Sequence, residues 1–323
     1  MNAPRKRGGL RAVMAGLGAA AQWRLLLLWA IGLLLPTAIV ALPVWRALTG
    51  QFDFSVHVNE IAARLDMSMM LEVLSTLMKG SGELITGASI AGTLLALLLA
   101  PWLSGMAVAS IRAGHRLGFG ELLQGGLREY GRMLRMSIWA ILPLGIALAI
   151  GSGAMALADS TTEHAILEAA VDNANRIALV ALIVLFVLAH AGVEAGRGVL
   201  AADPALRSVL RAWWRGNKLL LRRPLATLIV YLGTALVGYG LALVLGVLRT
   251  QVNAAGWLGF LGAFVLTQLV VAAIAWGRNA RLYAMADLAR HEQLRRDARH
   301  AHAANARHVH AVHTPDLANA AAG

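Results

Sequence analysis

The run Leu25–Trp45, LLLLWAIGLLLPTAIVALPVW, carries no charged residue and is bracketed by Arg24 and Arg46. A bilayer core about 30 Å thick is crossed by roughly 20 apolar residues in a helix, whereas the core of a soluble protein seldom needs so long an uncharged stretch. Five more runs are apolar over about the same length, Leu84–Ile111, Met136–Leu157, Ile177–Ala195, Leu225–Leu248 and Trp257–Trp276, and of these only the fourth span carries an acid, Glu194 next to its end. The fold expected is therefore all-α: a polytopic membrane helix bundle of about six transmembrane helices. The spans fill residues 25–277, between a basic N-terminus (1–24) and a C-terminal region (278–323). Pro36, Pro101 and Pro143 fall inside runs and are read as packing kinks.

Composition supports this reading. Of 323 residues 58% are hydrophobic and 14% charged, and the net charge of +12 with pI near 11.3 sits between the apolar runs rather than over a soluble surface. That placement argues against a nucleic-acid partner. The chain has no cysteine, which excludes disulfides, thiol catalysis and cysteine-ligated metal centres. Arg5, Lys6, Arg7, Arg11 and Arg24 precede the first run in the layout of a secretory signal. That run is long for a signal's apolar region and lacks a small-x-small exit, so it is read as a retained span.

Orientation follows from lysine and arginine. The N-terminal segment, the second and fourth loops and the C-terminal region hold five, five, seven and seven of them; the other three loops hold three, one and one. By the positive-inside rule the basic segments, and both termini, are cytoplasmic. On the opposite side, apolar Val58, Ile61, Leu65, Leu71, Leu74 and Met78 recur at helical spacing between Val56 and Met78, predicting an amphipathic helix on the outer face.

The cytoplasmic segments resemble one another. Leu10-Arg11-Ala12-Val13 runs to Trp23-Arg24-Leu25, Glu121-Leu122-Leu123 to Arg132-Met133-Leu134, and Leu206-Arg207-Ser208-Val209 to Lys218-Leu219-Leu220. The even spans exit through Ile111-Arg112-Ala113-Gly114, Gly196-Arg197 and Gly277-Arg278. This predicts three helical hairpins, each preceded by a cytoplasmic elbow helix and related by rotation about the membrane normal. Gly16/Gly18 and Gly118/Gly120 read as breaks in the elbows.

Two constellations stand out. Arg207, Arg211, Arg215, Lys218 and Arg222 make one basic helical stripe beside Trp213 and Trp214, the composition of an interfacial helix that contacts anionic lipid. His190, Glu194 and Arg197 share a face of the fourth span, and Gly192/Gly196 would let another helix come close enough to partner them, through Gln268 or Arg278. This intramembrane polar cluster reads as an interhelical clasp.

No Asp or Glu lies mid-span, which argues against proton- or sodium-coupled transport. Thr37, Tyr231, Thr234, Tyr239, Thr267 and Gln268 are the polar groups that remain to line a path for a neutral or amphiphilic solute. The sequence holds no phosphate-binding loop, no His-Glu-x-x-His and no nucleophile elbow, so neither catalytic residue nor cofactor is assigned. Six histidines, His291, His300, His302, His308, His310 and His313, crowd the C-terminal region. Scattered through a low-complexity tail, they carry no metal assignment. A helix is expected from Arg278 to about Arg299, with disorder over 301–323.

Gln22-Trp23-Arg24-Leu25-Leu26, Ala100-Pro101-Trp102-Leu103-Ser104-Gly105-Met106-Ala107 and Arg222-Arg223-Pro224-Leu225-Ala226-Thr227 resemble segments of uncharacterised multi-pass inner-membrane proteins of Proteobacteria. They are also similar to the membrane domain attached to some glycerophosphodiester phosphodiesterases, without the enzyme domain and its metal-binding carboxylates and histidines. The resemblance implies a bacterial inner-membrane location and a six-helix bundle. The function expected is a non-enzymatic accessory, scaffold or lipid-organising protein. Its partners would be anionic lipid at the cytoplasmic face, with a protein partner or a second copy of the chain. The alternative is a transporter or flippase-like carrier.

Overall fold

The computed structural model describes residues 8–52, 67–162, 168–252 and 256–313. Every regular element among them is an α-helix: α1 (Gly9–Ala20), α2 (Trp23–Phe52), α3 (Met67–Ala113), α4 (Phe119–Thr162), α5 (Glu168–Ala202), α6 (Val209–Arg222), α7 (Pro224–Gln251) and α8 (Gly256–His313). Six of them, α2, α3, α4, α5, α7 and α8, are long and apolar enough to cross a membrane, and each contains one of the predicted runs.

Aromatic residues mark two levels along the bundle. Trp23, Phe119 and Trp214 are exposed at one end, and Trp45 and Trp257 at the other. From Trp23 to Trp45 one helix rises about 33 Å, close to the thickness of a bilayer's apolar core. Two aromatic girdles at that spacing are what a membrane–water interface selects.

The helices form three hairpins, α2–α3, α4–α5 and α7–α8. The returning helices α3, α5 and α8 each touch the other two and make the inner ring. The elbows then follow a cyclic rule, each packing on the returning helix of the preceding hairpin. α1 lies on α8, the start of α4 lies on α3, and α6 lies on α5. A glycine makes each crossing possible. A Cβ on Gly16 would sit 2.6 Å from the Ala280 carbonyl oxygen, one on Gly126 2.7 Å from Met106 Cγ, and one on Gly216 2.7 Å from Gly196 Cα. The three-hairpin arrangement predicted from the repeat is therefore present in the contacts.

Some expectations are corrected. Gly16 and Gly18 do not break α1: Gly16 is the seat of a close helix crossing, and Gly18 is an ordinary member of the last turn. Gly118 precedes α4, and Gly120 lies in its first turn, so the second elbow is continuous with its span. The other two elbows are separate. α6 stops at Arg223 because Pro224 disfavours helical backbone before it, whereas nothing between Phe119 and Arg135 interrupts propagation. Pro36, Pro101 and Pro143 lie inside α2, α3 and α4, and within α3 the backbone also departs from helix at Ser81. α8 runs to His313, past the Arg299 limit and into the stretch expected to be disordered, where Ala301, Ala303, Ala304 and Ala306 favour helix. The predicted outer-face helix lies outside the described residues as far as residue 66, and from Met67 its backbone is the start of α3.

Packing is tightest where the elbows wrap the inner ring. Leu25, Leu103, Met106, Leu122, Met133, Leu200, Leu219, Met285 and Leu288 are fully buried there, so the basic end holds the core that fixes the three hairpins.

Candidate functional site: the basic end and the polar cluster beneath it

α6 is divided lengthwise into three strips. Ser208 caps its start, accepting from the Arg211 backbone N–H. Ala212, Gly216, Leu219 and Leu220 face the bundle; Leu210, Trp214 and Leu221 form an exposed apolar strip; Arg211, Arg215, Lys218 and Arg222 form an exposed basic strip between the two. Helical spacing dictates this division, since residues three and four apart share a face. Trp213 and Trp214, both expected at the lipid contact, differ in exposure although their ring centres are 6.3 Å apart: Trp214 is exposed and Trp213 half-buried. Trp213 turns inward and meets Trp139 edge to face, with centroids 5.7 Å apart.

The basic residues at this end do two kinds of work. Arg112, Arg132 and Arg290 cap helix ends: Arg112 Nη2 donates to the Leu200 carbonyl (2.8 Å), Arg132 Nη2 to that of Asp203 (3.1 Å) and Arg290 Nη2 to that of Ile111 (3.1 Å). Glu129 neutralises Arg112 and Arg132 together. Such guanidinium groups satisfy carbonyls that a helix terminus leaves without partners. On the elbow, Arg215 reaches Asp203 (3.3 Å) and Arg222 reaches Glu292 (3.7 Å). Arg207, Arg211 and Lys218 form no ion pair among the described residues, and the Lys218 ammonium lies 5.5 Å from the Trp214 ring centre. These three charges are available to something outside the chain.

Beneath the elbows the predicted polar cluster exists, with different partners. Glu194 is the hub. Arg197 Nη1 is 2.6 Å from Glu194 Oε1, His190 Nε2 is 3.9 Å from the same oxygen, and Arg281 Nε is 3.5 Å from Oε2. His190 Nδ1 lies 2.8 Å from the Tyr231 hydroxyl, and the Arg281 guanidinium sits 5.1 Å from the Tyr231 ring centre. The cluster thus ties α5 to α7 and α8. Of the two partners expected from sequence, Arg278 contributes its charge from the exposed side while stacking 5.4 Å from the buried Trp29 ring, and Gln268 is not in the cluster at all. It lines a cavity nearer the opposite end.

Arg281 and Tyr231 are the members sequence reading missed as partners. The repeat contained the signal. Arg197 follows Gly196 and Arg281 follows Ala280, the two small residues on which α6 and α1 rest, so the two arginines are equivalent positions of the second and third hairpins. The first hairpin has Met106 there, after Gly105, whose Cβ position lies 2.8 Å from the Gly126 carbonyl oxygen. Two guanidinium groups from equivalent places then converge on one carboxylate, an arrangement that fixes helix rotation. Among the described residues no three His, Asp or Glu side chains are grouped to hold a metal ion.

Compared with known protein families, curated proteins and solved structures, the chain matches none.

Proposed function

We propose that the protein is a non-enzymatic multi-pass protein of the bacterial inner membrane, with both termini cytoplasmic, that organises anionic lipid and serves as a scaffold at its cytoplasmic face. The observation that carries this reading is the threefold division of α6. A buried seam of Ala212, Gly216, Leu219 and Leu220 fixes the helix, an exposed apolar strip with Trp214 points into the bilayer, and Arg211 and Lys218, with Arg207 just before the helix, stand unpaired at headgroup level. Each such cation attracts anionic lipid by about 1 kcal/mol. α1 repeats the design on a smaller scale, with Leu10 and Met14 exposed beside Arg11.

The test is native mass spectrometry of the protein in nanodiscs of phosphatidylcholine with and without phosphatidylglycerol. The intact chain should retain phosphatidylglycerol above its share of the bilayer, and Arg211→Glu with Lys218→Glu should remove that enrichment. Equal retention in both variants would sink the lipid-organising reading.

One observation favours the alternative, a carrier for an amphiphilic solute: a cavity between the first and third hairpins that reaches Gln268. Translocation of a fluorescent lipid across proteoliposomes, faster than in protein-free vesicles, is the result that reading requires.

A further inference from the structure

The lower half of α2 meets α8 at the basic end, where Arg278 stacks on Trp29. Toward the opposite end the two helices part. On α2 the residues Leu34, Thr37, Ala38, Ala41, Leu42 and Trp45 share one face, and on α8 the residues Phe260, Ala263, Phe264, Thr267 and Gln268 share another. Such seams ordinarily interlock. Here they enclose a cavity of about 430 Å³, which α7 closes on one side with Arg249. Leu42, Trp45, Phe260 and Phe264 are also exposed on the outside of the bundle, so the cavity is continuous with the surface that faces lipid acyl chains.

Two polar features make it more than a packing gap. The Gln268 side-chain oxygen is buried without a hydrogen-bond partner among the described residues. The nearby hydroxyls do not serve it, because Thr37 donates to the Leu33 carbonyl (2.8 Å) and Thr267 to the Ala263 carbonyl (2.9 Å). A buried amide left unpaired is costly, more so in a medium without water. Arg249, two residues before the end of α7, forms no ion pair among the described residues. Helix spacing puts Gln268 and Phe264 one turn apart, with Trp45 marking the aromatic girdle above them. The site therefore offers a cation and an unpaired polar atom within one apolar cavity.

We propose that this cleft is a binding site for a single-chain anionic phospholipid, a lysophospholipid, taken from the leaflet at the end opposite the elbows. Its phosphate pairs with Arg249, the free hydroxyl of the adjoining glycerol bonds to the Gln268 amide, and its acyl chain leaves over Leu42 and Phe264 to the lipid-facing surface. A hydroxyl both donates and accepts, so it satisfies that amide whichever of its two polar atoms it meets. A diacyl lipid has an ester at that position and no proton to donate. The site does not rest on the reading of the basic end, from which it is separated by most of the membrane.

The experiment is competitive retention in phosphatidylcholine nanodiscs, read by native mass spectrometry, with lysophosphatidylglycerol, lysophosphatidylcholine and diacyl phosphatidylglycerol as probes. One lysophosphatidylglycerol per chain should be retained in preference to both others. Ala41→Phe, on the lipid-exposed rim, fills the cleft and should cut retention at least tenfold, and Gln268→Leu should do the same while leaving thermal stability unchanged or higher. Arg249→Gln should abolish the preference for lysophosphatidylglycerol over lysophosphatidylcholine. Undiminished retention by Ala41→Phe, equal retention of the diacyl lipid, or a preference that survives Arg249→Gln would overturn the proposal. Arg211→Glu with Lys218→Glu, at the other end, should leave lysophospholipid retention unchanged.

Discussion

Arg281 of α8 reaches across the inner ring to Glu194 of α5, Nε to Oε2 at 3.5 Å, in a place where both side chains are almost wholly buried. Arg197 approaches the other carboxylate oxygen at 2.6 Å. One acid therefore holds two guanidinium groups, and the cluster's stability hangs on it.

Removing that acid should cost more than removing either base. Glu194→Gln leaves Arg197 and Arg281 buried without a counter-charge, and breaking a buried pair by deleting one partner costs about 3–5 kcal/mol. Thermal unfolding of the detergent-solubilised protein, followed by size-exclusion fluorescence, should show a large drop in midpoint. Adding Arg281→Met to Glu194→Gln should recover part of it, because the second change removes one stranded charge. A midpoint for Glu194→Gln equal to that of the unaltered chain would remove the hub assignment.

His190 and Tyr231 carry the link from α5 to α7. His190→Leu leaves the Tyr231 hydroxyl without its 2.8 Å partner, and an unsatisfied buried polar group costs roughly 1–3 kcal/mol. Folded yield should fall for His190→Leu and fall less for Tyr231→Phe, which takes away the hydroxyl along with its need for a partner. Unchanged yield for His190→Leu would mean that the clasp does not hold the hairpins together.

The small-residue crossings should tolerate no enlargement. Gly16→Val drives a side chain into the Ala280 carbonyl and the Ala284 methyl, and Gly216→Val drives one into the backbone of Gly196. Overpacking costs about 1–3 kcal/mol even where neighbours shift, and more where the obstacle is backbone. Gly18→Ala is the control, since nothing lies within 4 Å of its Cβ position. Expression and midpoint should drop for the first two and not for the third.

The absence of cysteine makes orientation directly measurable. A single cysteine at Ala301 should react with a membrane-impermeant maleimide in inverted vesicles and not in intact spheroplasts, and one at Thr250 should show the reverse. Labelling of both from the same side would refute the positive-inside assignment.

Much of the architecture was legible before any coordinates. Uncharged runs such as Leu25–Trp45 announce spans because burial in hydrocarbon is a property of each segment by itself. The elbow α6 was legible for the same reason: its basic stripe repeats at helical spacing, so its faces follow from its own sequence. The same spacing separates Trp213 from Trp214, which sequence reading grouped by adjacency. Gly16 was misread because a glycine within a helical pattern suits either a break or a close approach, and only the neighbour tells which.

What the sequence alone determined is the helical content, the number of apolar helices able to cross a membrane and the amphipathic character of the third elbow, all local consequences of which side chains tolerate lipid. The tertiary structure decided which helix meets which. It put Arg281, rather than Gln268, against Glu194, and left Gln268 facing the cleft between α2 and α8. The physical reason is that a span's own residues define its polar and apolar faces, while the rotation and register that choose a partner depend on close contacts between helices. Gly16 on Ala280, Gly126 on Met106 and Gly216 on Gly196 are those contacts, and they exist only once the three hairpins have closed around one another.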